Sequence, residues 1–251
     1  MLIRYTLFLS VAIFMSGASG ARAEQIAIIG TGMMGGALGP RLAAAGHRIS
    51  YGTRDPSQPH IHDLVAATGE SARATSHLDA VDGAAVVIVA VPWKALESVA
   101  MGLQGHLDSH VVVDITNALQ NAEDGLPELM VDTSAGEMLQ AWLPKARVVK
   151  AFNTVGFHVV AEPERAPGGV TVPVASNDDE AKAIVMRLVE QLGFEPFDAG
   201  PLRFARTLER LAGLYRIPHW SGRRDQAFEY YFRKVAEPTP AEFPVLIRPR
   251  L

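Results

Sequence analysis

Residues Gln25–Gly36 read QIAIIGTGMMGG, and the interpretation of this stretch decides the fold. The run Ile26-Ala27-Ile28-Ile29 is too short for a helix and rich in β-branched side chains, as a parallel strand buried on both faces is. Gly30, Gly32 and Gly35 follow with G-x-G-x-x-G spacing. Ala37 to Ala45 is rich in Ala and Leu and reads as a helix, with Gly46 in the C-cap position. A glycine turn between a strand and a helix is the context in which this motif binds a dinucleotide. Gly30 permits the tight turn. Gly32 lacks the Cβ that would hold a pyrophosphate away from the main chain. Gly35 lets the helix pack closely on the strand. The N–H groups of the turn and of the first helical residues, with Thr31, Met33 and Met34 among them, then face the phosphates at the positive end of the helix dipole. The competing reading is a glycine turn in an unrelated α/β protein, which the strand and helix on either side disfavour.

Working outward from this turn, strand and helix patterns alternate. His47–Gly52 reads as a second strand, Ile61–Thr68 as a helix and Ser71–Asp82 as a short connection. Ala84–Val91 is a continuous apolar run suited to a central parallel strand, ended by Pro92. Trp93–Leu103 reads as a helix, Val111–Ile115 as a strand, Ala135–Trp142 as a helix, and Arg147–Phe152 and Val170–Ala175 as strands. Asp178–Leu192 is an amphipathic helix with a Ser176-Asn177-Asp178-Asp179 cluster at its start and Gly193 at its end. Such alternation predicts an α/β fold: a Rossmann-type, doubly wound, mostly parallel sheet with helices on both faces and its ligand beyond the carboxyl ends of the strands. Residues 24–200 form this domain. From 201 the pattern changes to one helix over Pro201–Tyr215 and a proline-rich remainder in which Asp225–Ala236 reads as a last helix, so 201–251 is expected to be a short C-terminal appendage.

Residues 1–23 stand apart. Arg4 supplies a positive start, Thr6–Met15 an apolar core, and Ala21-Arg22-Ala23 an A-x-A cleavage pattern, so this segment is expected to be a secretory signal peptide with a mature start near Glu24. The apolar run is too short to be a free-standing membrane span, and no stable span is expected after cleavage. The expected location is therefore periplasmic or secreted; a true start at Met15 would make the protein cytoplasmic. Among the 251 residues, 48 % are hydrophobic and 20 % charged, a globular composition, and the net charge of −4 gives no basic surplus for nucleic acid. Cys is absent, which excludes disulfides, thiolate metal sites and a Cys nucleophile. No metal site is expected, and redox chemistry must be carried by a cofactor. Oligomeric state is open, a homodimer included.

The residue ending the second strand selects the nucleotide. An acid there would hydrogen-bond the ribose 2′-OH and repel a 2′-phosphate; here the strand ends Gly52-Thr53-Arg54. A hydroxyl and a guanidinium suit a phosphate dianion, which favours NADP(H). Asp55 offers Arg54 an alternative partner, and that choice stays open.

The blocks IAIIGTGMMGGALGPRLAAAGH, YGTRDP, VIVAVPW, VVVDITNA and VVKAFNTV resemble the NADPH-dependent reductases of the deazaflavin coenzyme. They also resemble the amino-terminal domain of pyrroline-5-carboxylate reductases and the cytoplasmic domain of six-transmembrane metalloreductases. The VVKAFNT block and GFEPFDAGPL at Gly193–Leu202 favour the deazaflavin group, and the likeness runs from Gln25 to about Leu211. It implies direct hydride transfer between the nicotinamide and a flat small-molecule acceptor, flavin- or deazaflavin-like, which demands ring alignment in a dry cleft rather than a catalytic side chain. The strand ends expected to line that cleft are Val91, Pro92 and Trp93, then Asn117, then Ala151, Phe152, Asn153 and Thr154. Asn117 and Asn153 offer amides to the carboxamide or the acceptor ring. His158 and His219 are read as structural and Glu209 as a solvated helix charge. Two other readings compete: a non-catalytic NADP(H)-binding sensor module, and a reductase of a small imine or carbonyl, which would need a proton donor.

Overall fold

The structure is a computed structural model that describes residues 23–166, 168–220, 232 and 233. All but the last residue of the leader segment and nearly all of the expected last helix lie outside the described residues. The chain opens with β1 (Gln25–Ile29), α1 (Met33–Ala44), β2 (Arg48–Gly52), α2 (Pro59–Thr68), β3 (Ala72–Thr75), α3 (His77–Val81), β4 (Val86–Val89) and α4 (Trp93–Gly102). It continues through β5 (Val111–Asp114), β6 (Leu119–Asn121), β7 (Pro127–Leu129), α5 (Ala135–Trp142), β8 (Arg147–Lys150) and α6 (Phe157–Ala161). It then runs through β9 (Thr171–Ser176), α7 (Asp179–Gln191), β10 (Glu195–Asp198) and α8 (Ala205–Trp220).

Eight strands form one sheet in the order β10-β9-β8-β5-β4-β1-β2-β3. Every neighbouring pair is parallel except β8 and β9, which meet antiparallel at Val149 with Ser176 and Lys150 with Ala175. The period of two is visible inside β1. Ile26 and Ile28 join the core that also holds Leu38, Leu42 and Val185, whereas Ala27 and Ile29 join the core with Leu96, Leu103 and Leu139. Both faces are therefore buried, which is why the strand sequence is apolar without alternation. From β1 the chain builds outward to β3, then returns across β1 to build β4, β5 and β8 in the other direction. The crevice at that reversal, between the ends of β1 and β4, is where an open α/β sheet holds its ligand.

Four stretches differ from the sequence-based expectation. Ser71–Asp82, expected to be a connection, contains β3 and α3. The strand reads ARAT at the sheet edge, only partly buried, so it carries no apolar run to announce it. The small antiparallel pair of β6 and β7 was not anticipated, nor was the edge strand β10, whose Phe197 is exposed. The helix expected from Pro201 begins as a tight 3-10 turn at Leu202–Phe204 before α8. α8 packs on β6, β7 and α5. Residue 232 also returns to the sheet: Thr171 donates its N–H to the Phe232 carbonyl at 2.7 Å. Among the described residues no helix is long and apolar enough to cross a membrane.

Candidate functional site

The turn after β1 is built by close main-chain contacts. Gly30 has φ +110°, and a Cβ there would sit 2.4 Å from the Ala90 carbonyl oxygen; its N–H donates to Gly52 O at 3.1 Å. At Gly35 a Cβ would come within 2.1 Å of the Gly30 carbonyl oxygen, so helix α1 and the turn touch backbone to backbone. Gly32 is different: a Cβ there would meet no protein atom within 4 Å. Its side is open space above the start of α1, where Gly32 is the N-cap, no side chain caps the helix and no acidic residue occupies the first turn. The first N–H groups of α1 thus lack a side-chain partner, as a helix start reserved for an anion does. The residues present fit a pyrophosphate.

Three adjoining cavities follow the strand ends, with volumes of about 920, 650 and 510 Å³. The largest runs from Gly30–Gly32 to Thr53, Arg54 and His77. The middle one shares Gly32, Val91 and Pro92 with it and extends to Trp93, Ile115 and Asn117. The far one shares Met33, Met34 and Asn117 with the middle one and is completed by Phe152, Asn153 and Thr154 and, from α8, by Ala212, Tyr215 and Arg216. The cleft is therefore continuous across the glycine turn. It brings together the sequence-predicted residues except two: Gly35 lies beneath the turn, and Ala151 is fully buried in the core, its N–H donating to Asp114 O at 3.2 Å. Trp93 stands at the rim and stacks on Trp142, with ring centroids 6.4 Å apart.

At the end of β2, the alternative of an Arg54–Asp55 pair is not adopted. The Asp55 carboxylate accepts from Ser57 N and Oγ at 3.0 and 2.6 Å and from Gln58 Nε2 at 3.4 Å. These bonds from Ser57 hold its carboxyl below the usual range. Arg54 is left exposed at the cavity wall with Thr53 beside it. The nearby His77 imidazole is held below its ordinary value by burial and by the Arg54 charge.

At the floor, Asn153 Nδ2 donates to Asn117 Oδ1 at 2.9 Å, and Asn117 Nδ2 to the Asn153 carbonyl at 3.4 Å. Asn153 is 8 % exposed, and its Oδ1 has no partner; the Thr154 hydroxyl lacks one too. A buried acceptor without a donor is costly unless a ligand supplies one. Phe152, just before, has φ +58°, a left-handed backbone that is strained for a bulky residue and is held by its buried setting.

Glu209 corrects the sequence-based expectation. It is not a solvated charge but fully buried, its Oε1 2.7 Å from Lys150 Nζ. Lys150 is also fully buried, 2.8 Å from Asp114 Oδ2, and it donates to the Thr116 carbonyl. Burial alone would push the ammonium down, but the two carboxylates outweigh it and hold Lys150 above its usual value. One signal was available: a Lys inside the apolar run Val148-Val149-Lys150-Ala151-Phe152 requires a buried counter-charge. Its partner on α8 is too distant in sequence to be found by spacing. His158 meets Phe157 edge to face at 5.5 Å and lines none of the three cavities.

The family described as NADP oxidoreductase, coenzyme F420-dependent, matches residues 25–118. The chain is 31 % identical over 202 residues to the F420-dependent NADP reductase of Methanocaldococcus jannaschii, covering 76 % of this chain and 90 % of that protein. It is 28 % identical over 198 residues to the metalloreductase STEAP3 of Rattus norvegicus, covering 79 % of this chain but only 38 % of that protein. It thus spans well under half of the metalloreductases it matches. A crystal structure from Arthrobacter sp. FB24, assigned as an F420-dependent NADP reductase, superposes with a TM-score of 0.76 at 29 % identity, over 84 % of this chain and all of that one. On the identity and coverage of the archaeal reductase, this chain belongs to the coenzyme F420-dependent NADP oxidoreductases, a family of NADP(H)-binding oxidoreductases.

Proposed function

We propose that this chain binds NADP(H) and passes a hydride between its nicotinamide and a flavin- or deazaflavin-like ring. The observation that carries this reading is the open space over Gly32. It lies on an uncapped helix start and leads without interruption to a cavity floored by an unpartnered amide oxygen. When bound, the nicotinamide supplies the hydride itself, so the protein's work is binding, alignment and exclusion of water. Arg54 and Thr53 take the 2′-phosphate through charge-assisted hydrogen bonds. The main chain of Gly30–Met34 takes the pyrophosphate. Val91, Pro92 and Ile115 present apolar surface to the middle of the cleft, and Asn153 Oδ1 accepts from an amide N–H of the ligand. Met33, Met34, Phe152 and Tyr215 offer flat or flexible apolar contacts for a planar acceptor. Support comes from the archaeal reductase, whose name states both reactants.

The test is to mix purified protein with NADPH and a panel of FMN, riboflavin and 5-deazariboflavin, following loss of reduced-nicotinamide absorbance. Turnover with at least one tricyclic acceptor, and faster with NADPH than with NADH, is the expected result. Tight NADPH binding with no turnover on any acceptor would instead leave a binding module.

A further inference from the structure

The Lys150 centre lies outside the nucleotide path, yet it ties together three of the segments around the far cavity: the turn that carries Asn117, the end of β8, and α8. Two carboxylates face one ammonium there. The surplus negative charge is met by main-chain donors. Glu209 Oε2 accepts from Ala118 N at 3.0 Å and Ala135 N at 3.1 Å, and Oε1 from Gly136 N at 3.4 Å. Ala135 and Gly136 open α5, which adds the positive end of its dipole. Asp114 Oδ1 in turn accepts from Thr116 N at 2.8 Å and Thr116 Oγ1 at 2.7 Å. Asn117 therefore sits between two residues that are each bound to the centre, Thr116 through Lys150 and Asp114, and Ala118 through Glu209.

On α8, Glu209, Ala212 and Arg216 fall at i, i+3 and i+7, a single helix face. Glu209 turns inward to Lys150, and Ala212 and Arg216 line the far cavity one and two turns on. The anchor and the wall are one rigid piece. Stability alone does not call for such a centre, because buried ion groups are frequently replaceable by apolar side chains at no cost to the fold. Ions do fix geometry, since each charge tolerates little displacement from its partners once water is excluded.

We propose that Lys150, with Asp114 and Glu209, is a positioning centre that sets α8 against the Thr116–Asn117 floor and so fixes the width of the far cavity. The proposal rests on the reading that this cavity receives the hydride acceptor. Its test is Glu209→Gln, which keeps length but removes the charge, with Glu209→Asp as a second variant that keeps the charge and is one methylene shorter. KM for FMN or 5-deazariboflavin should rise about ten- to a hundredfold through misplacement of the wall. The Kd for NADPH, by titration calorimetry, should stay within about twofold, since the 2′-phosphate and pyrophosphate sites are untouched. Amide exchange read by mass spectrometry should accelerate about tenfold in 205–217 and 115–118 and stay unchanged in 25–44. An unchanged acceptor KM overturns the proposal. So does an equal loss of acceptor and NADPH affinity in both variants, which would make the centre a general prop of the fold. If the unmodified protein turns over no acceptor, the function proposed above fails, and exchange then decides the positioning role: no local acceleration, or a uniform one, ends it.

Discussion

Gly32 and Gly35 stand in one motif but answer to different constraints, and substitution separates them. A methyl group at Gly35 would collide with the Gly30 carbonyl at 2.1 Å, backbone that cannot yield without moving the turn. Gly35→Ala is expected to destabilise the fold by about 1–3 kcal/mol, the usual cost of overpacking, in thermal or urea denaturation. At Gly32 a methyl group touches no protein atom, and φ is −76°, open to any residue. Gly32→Ala should leave stability within about 0.5 kcal/mol. Gly32→Val should weaken NADPH about tenfold or more, roughly 1.4 kcal/mol, because its branches fill the space reserved for phosphate. An unchanged NADPH affinity in Gly32→Val would place the cofactor elsewhere. Arg54 belongs to the same scale. With Asp55 occupied by Ser57 and Gln58, the guanidinium has the 2′-phosphate as its natural partner. Arg54→Ser should cut the preference for NADPH over NADH by about ten- to a hundredfold, on the basis of ~1.5–3 kcal/mol for charged hydrogen bonds. Equal Kd ratios in variant and parent would refute the clamp.

Elements differ in how openly their sequences declare them. β1, β4 and β5 are buried on both faces, so their apolar runs could be read without knowing their neighbours. α5 and α7 announce themselves with cap residues: Ser134 accepts from Glu137 N and Asp178 from Ala181 N. β3 and β10 are edge strands with one partner each, and what makes them strands is the neighbour's ladder rather than their own side chains. The nucleotide half of the candidate cleft was legible for the same reason, each of its pieces being a short local stretch at the end of β1, β2 or β4. The Lys150 centre was not, because its three ions come from β5, β8 and α8 and only folding brings them together. α3 carries a prediction of its own. His77 is its first residue, and burial together with the Arg54 charge disfavours the imidazolium. The unfolded chain then binds the proton more readily than the fold does, so stability must rise with pH across the interval below the free value of 6.5 and level off above it. Thermal melts of the protein and of His77→Asn should therefore diverge in acid, with the parent losing more as the pH falls. Parallel curves would show that His77 is not the group responsible.

At the scale of the whole molecule, the bonds made by Glu24 bear on where the chain can be cut without loss to β1. Its N–H donates to His47 Nδ1 at 3.2 Å, and its carbonyl accepts from Arg48 N at 2.9 Å. His47 is itself buried, and its Nε2 donates to Gln191 Oε1 at 2.8 Å, so Glu24 is tied through one ring to the end of α7. Cleavage after Ala23 would leave the whole of β1 and turn the Glu24 amide into an ammonium, which can still donate to the imidazole. A chain 24–251 therefore keeps all of these bonds and is the reference for a shorter one. A chain beginning at Ile26 loses the Glu24 bonds and the first residue of β1 and should melt lower. The export reading is decided by mass spectrometry of the amino terminus in fractionated cells. A start at Glu24 in the exported fraction is the expected outcome. A protein retained in the cytoplasm with residues 15–23 still attached would overturn it, and would place the cleft among the soluble nicotinamide pools instead.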